Sequence, residues 1–415
     1  MKTPAVPGSA RNQEHKNPRL RKTFLNRNMS LVLLSFFLGF LSVALFFLFP
    51  LFLENFQPSK SRVGLIMGIH SVMAIMVRPF IGRTLDTRGG RKVAMTGILL
   101  MVAVVPLFHL VEDAGFLVLL LRALSGVGWG IAMTATMAMC SDLAPSDRMA
   151  QSLGIIGVAG IIAGAIGPTL TEEIARTYGF GAVFNLSMIL LVAALLCMTA
   201  AKESQRPKSL VLSTRIPGLG EYSLGILIVI AIMTILHGAI RGAIINFIAL
   251  FGTSVGFGRV GPFFLAFSVA AIFTRLGFGD ISDRYGRKRV IFPAACLIGL
   301  NLFWIAQVES YWVFVVSGFV AGLGQGLIFP ALSTYIIDFL GAENKGLALG
   351  LYLSFFDVGM GLGSPFFGWI SDMGGYRRMY AVGGSMLLLW TIVFALKAPA
   401  TASSDVSHQS SYGIR

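Results

Sequence analysis

Apolar residues run along this chain in stretches of about twenty, separated by short clusters of glycine, proline and charge, and the pattern predicts one long helix after another. The stretches fall at 29–53, 62–82, 93–111, 115–139, 149–170 and 180–201, then again at 222–250, 260–279, 289–307, 311–337, 346–368 and 378–397. A helix needs roughly 20 apolar residues to cross the ~30 Å hydrocarbon core of a bilayer, so each stretch is long enough to span. Twelve such spans use about 240 residues of the 415 and leave only short loops. Between the two sets, 202–221 holds Lys202, Arg206, Lys208 and Arg215 with two prolines and no apolar face, which reads as a solvated linker. The expected fold is an all-α integral membrane protein with twelve helices in two six-helix bundles, 29–201 and 222–397. A basic tail precedes them at 1–28 and a polar tail follows at 398–415. A signal peptide would carry an apolar core of only 7–15 residues, whereas the first stretch here is longer and eleven more follow it.

Composition agrees with that picture: 55% of residues are hydrophobic and 13% charged, too little charge to cover a soluble protein of this size. The net charge of +14 would suggest nucleic acid in a soluble chain, so its placement matters. With the amino terminus set inside, 23 Lys and Arg fall on that side and six on the other. This bias puts both termini in the cytoplasm, assigns the basicity to topology and anionic lipid, and leaves no reason to expect nucleic acid. The three cysteines, Cys140, Cys197 and Cys296, lie in or at the ends of apolar stretches and show neither a disulfide framework nor metal-ligand spacing.

Four further basic residues lie within or at the ends of spans: Arg78, Arg122, Arg241 and Arg275. Two of them open an internal repeat. Arg78-Pro-Phe-Ile-Gly82-Arg-Thr-Leu-Asp86-Thr-Arg-Gly89-Gly-Arg91-Lys92 recurs 197 residues later as Arg275-Leu-Gly-Phe-Gly279-Asp-Ile-Ser-Asp283-Arg284-Tyr-Gly286-Arg287-Lys288. Gly126, Gly128 and Gly130 likewise match Gly322, Gly324 and Gly326 at an offset of 196. Two six-helix halves related by duplication are the architecture of a transporter whose site lies between the repeats. Physically, Gly82 and Gly279 would let helices approach closely, and Asp86 and Asp283 would sit beside helix amino ends where a carboxylate is favoured. Such contacts can be made in one state and broken in another, as a cytoplasmic gate requires.

On these motifs the chain resembles the major facilitator superfamily, from about residue 28 to residue 397. The family signature Gly-x-x-x-Asp-Arg-x-Gly-Arg-Arg/Lys is met by Gly279, Asp283, Arg284, Gly286, Arg287 and Lys288. The first copy keeps Gly82, Asp86, Gly89 and Arg91 but carries Thr87 and Gly90 at two basic positions. Arg122, followed by Gly126 and Gly128, resembles a fourth-helix motif whose arginine the family links to proton-coupled transport. Gly154, Gly164, Gly167 and Pro168 resemble the fifth-helix motif of the family's antiporters, with Ala163 in place of one glycine and Thr171 and Glu172 in place of its terminal glycine pair. Small residues at that spacing also suit close helix packing.

An ionisable group at membrane depth is expensive and points to function. Asp357, near the middle of span 11, is expected to exchange a proton as solute binds, paired with His237 or Arg241, which lie four apart on span 7 and answer its charge. A static ion pair between the two spans is the alternative. Residues 29–49 contain no acid, which argues against a broad cationic-drug exporter, while Arg122, Arg241 and His237 favour a neutral or anionic solute. No phosphate loop is present, so the expected energy source is a proton gradient, with no cofactor, metal or catalytic residue. The expected function is proton-coupled efflux of a small solute by a monomer in the inner membrane. Uptake of a small organic anion, or translocation of a lipid or amphiphile, is the alternative.

Overall fold

The computed structural model describes residues 27–143, 149–203, 224–278, 281–341 and 344–399. Nearly all of the expected tails and linker lie outside the described residues, as do Gly279 and the side chains of Asp86 and Asp283.

Helices form wherever the apolar stretches predict them, and most run further than the stretches. In the first half they are α1 (Arg27–Leu45), a short α2 (Phe49–Leu53), α3 (Lys60–Arg88), α4 (Gly90–Val104), α5 (Phe116–Leu143), α6 (Met149–Tyr178) and α7 (Phe180–Ala200). In the second half they are α8 (Leu224–Ser254), α9 (Gly261–Phe278), α10 (Ile281–Tyr285), α11 (Arg287–Ala306), α12 (Tyr311–Leu340) and α13 (Lys345–Lys397). Eleven of the helical segments are long and apolar enough to cross a membrane. The last is not straight: Gly374 and Gly375 leave helical geometry, Gly375 at φ 76°. Gly179, between α6 and α7, has the same positive φ of 78° at an offset of 196, so the break in α13 repeats the one that separates α6 from α7. At 1.5 Å per residue an unbroken helix of 53 residues would reach about 80 Å, more than twice the hydrocarbon core.

Helix ends follow local chemistry. Ser59 caps α3 by accepting from the Arg62 N–H at 3.2 Å. The expected loop at 83–92 is mostly helix, because α3 continues to Arg88 and reverses direction over Gly89 at φ 83°. Asp86 therefore lies in the final turn of α3, four residues before α4 begins.

Each half packs around aromatic and aliphatic side chains, with Phe46, Phe49, Phe108 and Phe184 stacked together in the first and Phe247, Phe251, Tyr376 and Tyr380 in the second. Leu196, Leu389 and Leu396 remain exposed on the outside, as a lipid-facing surface allows. Within the halves, α1 lies on α6 and α7, α5 on α3 and α4, α13 on α8 and α11, and α12 on α9 and α11. Between the halves the principal contacts are α3 on α13 and α6 on α9. By the repeat these are one contact made twice with the halves exchanged.

Candidate functional site: the cleft between the two halves

Each inter-half contact has a tight end and a loose end. On α3, a Cβ at Gly64 or Gly68 would collide with the carbonyl oxygens of Ser364 and Gly361 of α13, and one at Gly368 with that of Lys60. Beyond them, Asp372 of α13 caps α3 from across the interface, accepting the Lys60 and Ser61 N–H groups at 2.7 and 2.8 Å and the Ser61 hydroxyl. The α6 to α9 contact ends in the same way. Glu172 accepts the Val260 and Gly261 N–H groups at 2.6 and 2.9 Å, and Glu173 stands 3.8 Å from Arg259. At the opposite end, where the repeated motif lies, a Cβ at Gly82, Gly154 or Gly277 would meet nothing within 4 Å. Among the described glycines, close backbone contact between the halves is found toward the capped end and not at Gly82, Gly154 or Gly277.

The polar cluster lies nearer the motif end, with Arg78 four residues from Gly82 on α3 and Arg275 two from Gly277 on α9. Arg78 of α3 forms an ion pair with Asp357 of α13 across the interface. Tyr352, one turn earlier on α13, is fully buried with an unpartnered hydroxyl and lies in the fields of both Asp357 and Arg275. Arg275 of α9 sits over the Phe329 ring at 5.7 Å and points at α6, its Nη1 2.5 Å from where a Cβ on Gly157 would stand. The His237 Nε2–H donates to Gln325 Oε1 of α12 at 2.8 Å, and the buried Nδ1 has no partner. Arg241 stacks on Phe267 of α9 at 4.2 Å. Among the described residues neither Arg241 nor Arg275 has a carboxylate partner.

The expected pairing of Asp357 with His237 or Arg241 is not what the structure shows. Depth along a helix was readable from residue number, but azimuth was not. Successive residues point about 100° apart, so α13 turns Phe356 toward His237, with ring centroids 5.1 Å apart, and Asp357 toward Arg78 of the other half. In the sequence Arg78 stands out as an in-span charge and as the head of the repeat, and neither feature marks it as the partner of Asp357. Gln325, Tyr352, Asp372 and Glu172 were missed. For the last two, no pattern within a single helix announces a cap donated to another helix.

Arg122 is 5% exposed and belongs to the first half alone. Its Nε–H donates to the Ile66 carbonyl at 3.4 Å, and its guanidinium lies 5.7 Å from the rings of Phe46 and Phe49. A small pocket beside it is lined by Ser42, His70 and Ser125, the last two in contact at 3.2 Å.

Among the described residues, the following contacts of the gate motif lie within halves. Arg91 reaches the Thr199 carbonyl at 2.7 Å, its own N–H donates to Glu203 at 3.2 Å, and Gly89 leaves the space that Glu203 fills. Arg287 bonds Asp338 of α12 at 3.1 Å and Ser282 at 2.8 Å, Gly286 forms the turn before it at φ 90°, and Arg284 is exposed. On α6 only part of the glycine stripe is explained by packing. A Cβ at Gly167 would stand 2.6 Å from that of Ala44, whereas Gly154 and Gly164 have room, and Pro168 continues the helix without ending it. Among the described residues no group of His, Cys, Asp and Glu could hold a metal ion.

Comparison with known proteins decides the family. A profile of the Major Facilitator Superfamily matches residues 31–217 and 230–411. The chain belongs to this superfamily. Its members are transporters, and this protein is accordingly a multi-pass membrane transporter. Similar superfamily proteins include the staphylopine export protein of Staphylococcus aureus, 22% identical over 84% of this chain and 90% of that one. The multidrug resistance protein MdtG of Dickeya zeae is 24% identical over 79% and 82%. Among solved structures, nucleoside transporter NupG aligns with a TM-score of 0.74 at 14% identity, covering 89% of this chain and 98% of that one. The human organic anion transporter MFSD10 aligns at 0.65 and 17%, covering 88% and 98%. At such identities these structures speak for the fold.

Proposed function

We propose that this superfamily member is a proton-coupled exporter of a small solute, a monomer crossing the bacterial inner membrane twelve times in two bundles with both termini in the cytoplasm. The lysine and arginine bias supports that orientation, and it makes the motif end cytoplasmic and the capped end external. On this reading the state described is the one open to the cytoplasm.

The Arg78–Asp357 ion pair carries the reading. It joins the two halves at membrane depth, where an uncompensated charge is costly, and every group facing it can answer a change in its charge. Those groups are Arg78 on α3, Tyr352 on α13, Arg275 on α9 and, beyond Phe356, His237 on α8. In the inward state the carboxylate is ionised and held by Arg78. With α3 and α13 drawn apart toward the outside, the same carboxylate loses its cation and takes a proton from the external water. Return to the inward state restores Arg78 and expels the proton into the cytoplasm. Solute leaving on the outward stroke is thereby exchanged for a proton. The relatives named for staphylopine export and multidrug resistance support the outward direction.

The test uses reconstituted protein and a solute identified by thermal-shift screening. Acidifying the side that receives solute is expected to drive its movement, and Asp357→Asn is expected to bind solute while losing that drive. Normal pH-driven transport by Asp357→Asn would overturn the reading. Uptake of an organic anion is the second reading, favoured by the carboxylate-free Arg241 and Arg275. In that case solute moves with the proton.

A further inference from the structure

The internal repeat isolates one cation. Arg78 and Arg275 stand 197 residues apart in the repeat, and so do Pro168 and Pro365, which fixes the register of α6 on α13. In that register Asp357 corresponds to Gly160, and Ser354 to Gly157. Because α9 meets α6 as α3 meets α13, the two arginines occupy corresponding positions in the repeat, and they differ in what the facing helix offers them. Arg78 receives a carboxylate from α13. Arg275 receives none from α6, where it lies against Gly157, and a Cβ at Gly160 would touch only the Phe40 ring, at 3.7 Å. The side of α6 that would hold the matching acid carries no side chain.

A guanidinium at membrane depth is tolerated when a counter-charge or water answers it, and its planar fork is suited to a carboxylate. Phe329, at 5.7 Å from Arg275, and Phe356, packed on Phe329 at 5.5 Å, place aromatic surface beside it. We propose that Arg275 binds the carboxylate of the transported solute, which takes at this interface the place that Asp357 takes at the other, and that Phe329 contacts the adjoining apolar part. The substrate class is therefore a small organic carboxylate with an apolar body. This rests on the reading of the cleft as the solute path.

Purified full-length protein in detergent is titrated with carboxylates of graded size, from phenylacetate to decanoate, and with the matching neutral amides, following the unfolding temperature. The acids are expected to raise it saturably and the amides not to. Arg275→Gln should weaken the apparent affinity at least about tenfold, the loss of one charge-assisted contact, with a smaller loss in Arg275→Lys. Gly157→Asp, which supplies the missing acid beside the guanidinium, should abolish acid binding while the protein stays monodisperse on size exclusion. Equal stabilisation by acids and amides, stabilisation by neither, or unchanged acid binding in Arg275→Gln overturns the proposal. Asp357→Asn separates it from the coupling reading. That variant should still bind the acids, and pH-driven transport that persists in it would overturn proton coupling while leaving the carboxylate site standing.

Discussion

In the orientation proposed above, in which the caps are external, neutralising both should turn the protein outward. Asp372 and Glu172 each accept two consecutive backbone N–H groups at the first turn of a helix, or just before it, in the opposite half, at 2.6–2.9 Å. Asp372→Asn and Glu172→Gln keep one acceptor but lose the other and the charge that favours a helix amino end. A hydrogen bond to a charged group contributes about 1.5–3 kcal/mol, and exposure of Asp372 puts these caps at the low end, near 1–2 kcal/mol each. They sit on different helix pairs, so the effects should add. A double variant would lose about 3 kcal/mol of the preference for external closure, a shift of roughly 100-fold in the ratio of states. The assay is electron–electron distance measurement between spin labels at Gln57→Cys and Gln307→Cys, external positions on different halves, in a background with Cys197 and Cys296 replaced. A longer-distance population should grow in the double variant. Glu309→Gln is the control, because the 3.9 Å pair it breaks, with Arg377, lies inside one half. An unchanged distribution in the double variant, or an equal change in the control, would refute the role of the caps.

Other substitutions separate packing from chemistry. Arg122→Met is close in volume and removes a buried charge that has no carboxylate, so thermal stability should hold or rise while transport falls; a lower unfolding temperature would mean that its carbonyl bond and ring contacts are structural. Gly167→Val should destabilise by about 1–3 kcal/mol through collision with Ala44, whereas Gly154→Ala should leave the unfolding temperature unchanged, both read by thermal denaturation in detergent.

The helical architecture and the duplication were legible because both are periodic. Length and apolarity mark a spanning helix whatever it packs against, and the offset of 197 needs no structure to count. The motif glycines were legible only as a motif: Gly82, expected to let helices approach closely, has nothing within 4 Å of a Cβ, while Gly89 and Gly286 make turns at positive φ that the spacing alone does not assign them. The site was less legible, since it is built from azimuth. Asp357 was selected by its rarity and depth, but its partner could not be: His237 matches it in depth, whereas Arg78 stands four residues from the end of its stretch, and the rotation of α13 turns Asp357 to Arg78 all the same. The stripe of glycines on α6 illustrates the converse error. Helical spacing suggested a packing face, yet only Gly167 is pressed against a neighbouring helix, and Gly157 is open to an arginine.

The repeat explains why departures from it carry the information. Duplication alone would give two identical interfaces, and the external ends come close to this, each with an acid of one half capping a helix of the other. Two identical interfaces at the centre would hold two Arg–carboxylate pairs, neutral and self-satisfied, with nothing left for a solute to answer. Here one pair is complete, and the other has its arginine facing glycine. The complete pair can be uncoupled by a proton and the incomplete one can be filled by an anion. In the proposed cycle both stand on helices that part or approach as the cleft changes sides, so that proton and solute would act on one equilibrium without sharing a residue. Placing an acid at Gly157 should therefore affect solute binding first, and removing the acid at Asp357 should affect the proton first. A protein in which both changes abolished the same step would not be built on this division.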